Sequence, residues 1–163
     1  MIKYTEDNKR VVIAEDSATQ AEKLKFSLQN LGLEVFHGIN GREAGELIKE
    51  VDPVMIISDV MMPEMDGYEL VKLVRSKKEF DHIPFILLTT LSDLNDVLQG
   101  LEYGADSYIM KPFNEHYLLS RLNQVMENRN LISDRGPFDS INFEHLDKEY
   151  NICSSAPQIL NLL

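Results

Sequence analysis

Val54-Met55-Ile56-Ile57-Ser58-Asp59-Val60-Met61-Met62-Pro63-Glu64-Met65-Asp66-Gly67 is the stretch that decides how the rest of the chain is read. Three of the four residues from Val54 to Ile57 are β-branched, and all four are apolar. A short continuous run of this kind reads as a strand buried on both faces, as in parallel sheets. The run ends in Ser58-Asp59, and the chain then leaves through Pro63 and turns at Asp66-Gly67. Asp59 therefore sits at the C-terminal tip of a central strand, where open α/β sheets bind their ligands. Taken alone, a solvated carboxylate opening a turn is the favoured reading of Asp59. The other strands decide between the two.

Upstream, Val11 to Ala14 reads as a strand that follows Lys9-Arg10 and ends in Glu15-Asp16. Ala21, Leu24, Leu28 and Leu31 recur at helical spacing, and Gly32 suits the C′ position that closes that helix. Glu34 to His37 is a second strand. Asn40 is placed to cap a helix from Gly41 to about Glu50, with Glu43 completing a capping box. Downstream, Leu70, Val71 and Val74 make the apolar stripe of a third helix, with Lys72, Arg75, Lys77 and Lys78 on its outer face. Phe85 to Leu88 is a fourth strand ending in Thr89-Thr90. Ser92 or Asp93 opens a helix reaching about Tyr103 and closed by Gly104. Ser107 to Met110 is a fifth strand ending in Lys111-Pro112, and Asn114 caps a last helix to about Asn128. Strand and helix alternate throughout over short connections, which predicts an α/β fold with a doubly wound parallel sheet.

In a flavodoxin-like sheet of order 2-1-3-4-5, the tips carrying Glu15-Asp16, Asp59, Thr89 and Lys111 lie side by side on one edge. Three carboxylates in one cleft repel each other unless a cation sits among them. Oxygen ligands without His or Cys suit a hard ion such as Mg²⁺. Lys111 supplies a point positive charge and Thr89 a hydroxyl. The set is equipped to receive a phosphoryl group on a carboxylate.

The chain has 163 residues, of which 44% are hydrophobic and 26% charged, room for one cored domain and a short appendage. A net charge of −11 argues against a nucleic-acid surface or an anionic membrane and favours cations or partners with a basic face. No stretch reads as a membrane span or a signal peptide, and the single Cys153 fits a reducing compartment. A cytoplasmic location is expected.

Together, Glu15-Asp16, the segment Asp59 to Gly67, Thr89, and Lys111-Pro112-Phe113 resemble the receiver domain of two-component response regulators. The resemblance covers residues 9 to about 129, and a domain boundary is placed at 130. It implies that Asp59 is the phosphoacceptor, that Asp16 and Asp59 ligate Mg²⁺, and that Glu15 holds a metal-bound water. The remaining protein ligand would be the backbone carbonyl of Met61. Thr89 and Lys111 would receive the phosphoryl oxygens, Tyr108 would be the switch aromatic, and Lys111-Pro112 would be cis. A sensor histidine kinase or a phosphotransfer protein is the implied donor. The chain would be a self-phosphorylating signalling domain rather than an enzyme in its own right.

Two other readings stand beside this one. A docking scaffold would have no need of Asp16, Asp59, Thr89 and Lys111 together. Phosphatases with an aspartyl-phosphate intermediate typically carry a second Asp two residues after the nucleophile, where this chain has Met61. Met61 and Met62 read as loop packing. Met61 and Leu91 are also the two positions expected to shield an acyl phosphate from water, giving a long-lived phosphorylated state. His37, His82, His116 and His145 show no ligand or relay pattern and read as structural or surface residues.

Residues 131–163 read as an appendage. Gly136-Pro137 marks a linker, and Ile141 to Phe143 and Tyr150 to Ile152 flank a hairpin turn at Asp147-Lys148. Ser154 or Ser155 with Pro157 opens a helix bearing Ile159, Leu160, Leu162 and Leu163. The segment faintly resembles the connector after the receiver in hybrid sensor kinases, which would make the chain part of a longer parent. A homodimer through this helix, or through the face of the fourth helix, fifth strand and fifth helix, is the matching expectation.

Overall fold

A computed structural model describes residues 8–90 and 94–130. Within them the elements alternate as β1 (Arg10–Ala14), α1 (Ala18–Asn30), β2 (Glu34–Gly38), α2 (Gly41–Val51) and β3 (Met55–Asp59). They continue as α3 (Gly67–Arg75), β4 (Phe85–Thr89), α4 (Leu94–Glu102), β5 (Ser107–Met110) and α5 (Glu115–Asn130). All strand pairs are parallel and the sheet runs β2-β1-β3-β4-β5, the flavodoxin-like order expected.

The apolar runs are continuous because each strand feeds two cores. Val11, Ile13, Met55, Ile57, Ile86 and Leu88 face one layer, with Leu24 and Leu28 of α1 and Leu118 and Leu122 of α5. Val12, Ala14, Ile56, Phe85 and Leu87 face the other, with Ile48 of α2 and Leu70, Val71 and Val74 of α3. Side chains alternate between faces along a strand, and here both faces are dry. Each fully buried aliphatic contributes about 1.5–3 kcal/mol.

Local signals set the helix ends. Asn40 Oδ1 accepts from Glu43 N at 2.9 Å, and Asn114 Oδ1 accepts from Tyr117 N at 2.7 Å. Gly32 (φ 81) and Gly104 (φ 110) occupy the left-handed conformations their positions require. The expected capping box at α2 is displaced. Glu43 Oε2 accepts from Ile39 N at 3.0 Å rather than from the Asn40 amide. A complete box stands instead at α3, where Asp66 and Glu69 cap each other's backbone at 2.8 and 2.9 Å.

The expected solvated face of α3 also needs correction. Arg75 folds back to donate to the carbonyls of Gly104 (2.8 Å), Asp81 (3.1 Å) and Ile83 (2.9 Å) and to Asp106 Oδ2 (2.9 Å). Its planar fork staples the α3–β4 loop to the turn before β5. Lys77 and Lys78 lie beyond the end of α3, and Lys72 Nζ stands 3.8 Å from the Tyr103 ring centroid. Among the described residues no helix is long and apolar enough to cross a membrane. The expectations for Leu91, Ser92, Asp93, His145, Cys153 and residues 131–163 lie outside the described residues.

Candidate functional site

β1, β3, β4 and β5 are neighbours, so their C-terminal tips bring Glu15, Asp16, Asp59, Thr89 and Lys111 to one edge. Asp59 is the last residue of β3, 8% exposed. Thr89 is the last residue of β4, 4% exposed, and its carbonyl accepts from Lys111 N at 2.8 Å. Glu15 follows β1 and is 1% exposed, whereas Asp16 beside it is exposed. The Lys111–Pro112 peptide is cis, as the resemblance implies.

Lys111 joins the tips. Its Nζ lies 2.7 Å from Glu15 Oε2, 3.1 Å from Asp59 Oδ2 and 2.6 Å from Gln20 Oε1. Glu15 Oε1 accepts from Ser17 N at 3.1 Å, so each carboxylate oxygen of Glu15 is engaged. Even so, burial pushes the Glu15 carboxyl above its ordinary pKa, and the Asp59 charge adds to the rise, against the lowering by Lys111 and the Ser17 amide. The site concentrates more negative charge than its lysine offsets.

One ligand oxygen from each of Glu15, Asp16 and Asp59 lies within 4.8 Å of the others. A cluster of that span suits one small divalent cation. All the donors are hard oxygens. The residues fit a divalent cation of that class.

Thr89 and Tyr108 line one small cavity with Tyr68, Asp96 and Val97. Tyr108 is half-buried, and the Arg121 guanidinium stands 5.6 Å from its ring centroid. The reading of Met61 as loop packing is overturned, since its side chain is 65% exposed, while Met62 does pack on the α2–α3 core. Beside Lys111 a cleft of about 580 Å³ runs along α1, lined by Leu24, Phe26, Pro112 and Phe113, with Phe26 65% exposed.

Two contacts had escaped the sequence reading. Gln20 lies in the first turn of α1, and its contact with Lys111 joins residues 91 apart in the chain, with no local spacing to announce it. His37 places Nε2 2.7 Å from the Glu15 carbonyl oxygen, a contact with no sequence signature.

Residues 11–123 match the family described as Response regulator receiver domain. The chain belongs to that family. This receiver is 38% identical over 117 residues to "Probable transcriptional regulator ycf27" of Porphyridium aerugineum, across 72% of the chain and 48% of the relative. It is 39% identical to the protein of the same name in Galdieria sulphuraria, over 72% of the chain and 45% of the relative. The receiver thus spans about half the length of the curated relatives it matches. Among solved structures it resembles the signal receiver domain of a signal transduction histidine kinase from Syntrophus aciditrophicus. That match has a TM-score of 0.68 and 44% identity, covering 74% of this chain and 91% of the other. It also resembles the chemotaxis protein CheY4 of Vibrio cholerae, with a TM-score of 0.69 and 35% identity, covering 72% of this chain and 98% of the other.

Proposed function

We propose that this receiver takes a phosphoryl group from a phosphohistidine onto Asp59 and uses the new charge as a cytoplasmic signal. The observation that carries the reading is Lys111 bridging Glu15 and Asp59 within a cluster of hard oxygen donors. Glu15, Asp16, Asp59 and the backbone carbonyl of Met61 would hold Mg²⁺, with Glu15 acting through a bound water. When bound, the ion neutralises charge on the transferring group. Asp59 is the attacking carboxylate, and the ammonium of Lys111 and the hydroxyl of Thr89 hold the phosphoryl oxygens. Such a transfer asks the protein mainly for positioning and electrostatics. A sensor histidine kinase or phosphotransfer protein is the donor, and the apolar cleft along α1 gives it a grip beside Asp59.

The switch would run through Thr89 to Tyr108, which share a cavity, and out to the face of α4, β5 and α5. Phosphorylation biases an existing equilibrium by its differential contacts in the two states. A homodimer would form through that face or through the C-terminal helix expected from Pro157. Mass spectrometry after acetyl phosphate and Mg²⁺ tests the reading. The wild type should gain one phosphoryl group and Asp59→Asn none. Equal modification of the two would remove Asp59 from its role.

A further inference from the structure

We infer that His37 is a positioning residue for the acidic pair Glu15-Asp16, acting on the peptide plane between them. The inference rests on the reading of that pair as part of a Mg²⁺ site. β1 and β2 pair in register from Arg10 with Glu34 to Ala14 with Gly38. The Glu15 N–H carries the ladder one step further, donating to the Gly38 carbonyl at 3.1 Å. A continued parallel ladder would then offer the Glu15 carbonyl the N–H of Asn40. β2, however, ends at Gly38, and Asn40 serves as the N-cap of α2. The Glu15 carbonyl oxygen lies instead 2.7 Å from Nε2 of His37. A carbonyl oxygen only accepts, so Nε2 carries the proton. The imidazole stands in for the ladder donor at the point where the sheet stops.

The carbonyl that His37 holds belongs to the peptide joining Glu15 to Asp16. Fixing that plane fixes the direction in which the Asp16 side chain leaves the backbone. Glu15 has other anchors, because Ser17 N and Lys111 Nζ bond its carboxylate at 3.1 and 2.7 Å. Asp16 is exposed, so its approach to the other donors depends on the backbone more than on packing. Protonating the other ring nitrogen leaves the Nε2 donor in place. The device is one of geometry. Partners one step behind a ligand commonly set metal affinity in this way.

Two substitutions in the full chain test it, with Mg²⁺ titrated at neutral pH and backbone amide shifts as the readout. His37→Phe keeps a planar ring and loses the donor, and should weaken Mg²⁺ binding by roughly tenfold. His37→Gln carries an amide N–H that can reach the same carbonyl and should recover most of the loss. In the metal-free wild type, imidazole ¹⁵N shifts should show the Nε2–H tautomer. That third readout needs no variant to fold. Unchanged affinity in His37→Phe, a Gln variant as weak as Phe, or the Nδ1–H tautomer would each overturn the inference. A wild type that binds no Mg²⁺ refutes the metal-site reading itself, and this inference with it. The two failures are therefore distinguishable.

Discussion

Lys111→Met isolates the charge at the centre of the site, since methionine keeps most of the unbranched stem and loses the ammonium. That ammonium lies 2.7 Å from Glu15 and 3.1 Å from Asp59 on a side chain only 11% exposed. At an effective dielectric near 20, unit charges at those distances attract by about 6 and about 5 kcal/mol. Keeping an ammonium out of water costs several kcal/mol, which offsets much of that attraction. Removing one partner from a buried charge network nevertheless destabilises by about 3–5 kcal/mol, because the remaining charges are left unpaired. The exposure of Asp16 and Gln20 beside it places this site at the lower end. A loss of about 3 kcal/mol should lower the melting temperature of a domain this size by roughly 10–15 °C.

The pH dependence follows from Glu15. Its folded pKa already stands above the ordinary 4.5, chiefly through burial. Loss of Lys111 removes both a hydrogen bond and a Coulombic attraction that lower it, so it rises further. A raised folded pKa means that the stability contributed by the protonated form is fully present below the unfolded value. That stability is lost as pH rises through the folded value. The defect in Lys111→Met should therefore be largest at pH 7 and shrink toward pH 5. Urea melts at the two pH values, with chelator present, measure it. Added Mg²⁺ should stabilise the variant more than the wild type, since it returns a cation to the cluster. A variant as stable as wild type at pH 7, or a defect that grows toward pH 5, would refute the reasoning.

Three further outcomes are expected. Gly67→Ala would drive its Cβ into the Asp59 carbonyl oxygen and to 3.0 Å from Val60 Cα, backbone that cannot swing aside. It should cost about 1–3 kcal/mol in a thermal melt and lower the acyl phosphate yield, and an unchanged melt would count against it. Arg121→Met removes a buried guanidinium lying 5.6 Å from the Tyr108 ring and 5.5 Å from Tyr117. A loss of about 1–2 kcal/mol should accompany shifted Tyr108 ring resonances, and unmoved resonances would exclude this contact from control of the switch. Gln20→Leu should raise the steady-state acyl phosphate level under acetyl phosphate several-fold, and a lower level would refute the competition described below.

The sheet was legible because burial on both faces leaves each strand little choice of residue. Val11 to Ala14 and Val54 to Ile57 are apolar without interruption since alternate residues fill opposite cores. The site was legible because a parallel sheet with crossovers turns strand-end residues into neighbours. Glu15, Asp59, Thr89 and Lys111 needed only the strand order to meet. Arg75 is not legible as a staple because, Asp106 apart, its partners are backbone carbonyls at Asp81, Ile83 and Gly104, which no side-chain pattern announces. The box at Asp66 and Glu69 is present in the spacing, but Pro63 and Gly67 equally suit a plain turn there. Met61 lies in a loop with no period from which to infer burial.

The contacts of Gln20 and His37 also bear on how the site would be held before the proposed transfer. A lysine ammonium has three protons to donate, and Lys111 has Glu15, Asp59 and Gln20 as acceptors. A phosphoryl group on Asp59 asks for one of those protons. Glu15 and Asp59 are carboxylates, so each adds a full charge–charge attraction to its bond with the ammonium, which the neutral Gln20 amide lacks. Gln20 is neutral and exposed, so its bond is the cheapest for Lys111 to release. On the proposed reading Gln20 would compete with a phosphoryl group for Lys111, so its loss should favour the phosphorylated state. His37 would on that reading act in the opposite sense, holding Asp16 toward the cation that an acyl phosphate at Asp59 would need. One side chain would oppose the charged state and the other prepare for it. Gln20 comes from α1 and His37 from β2, so neither lies at a strand tip beside Asp59 where the sequence pattern pointed.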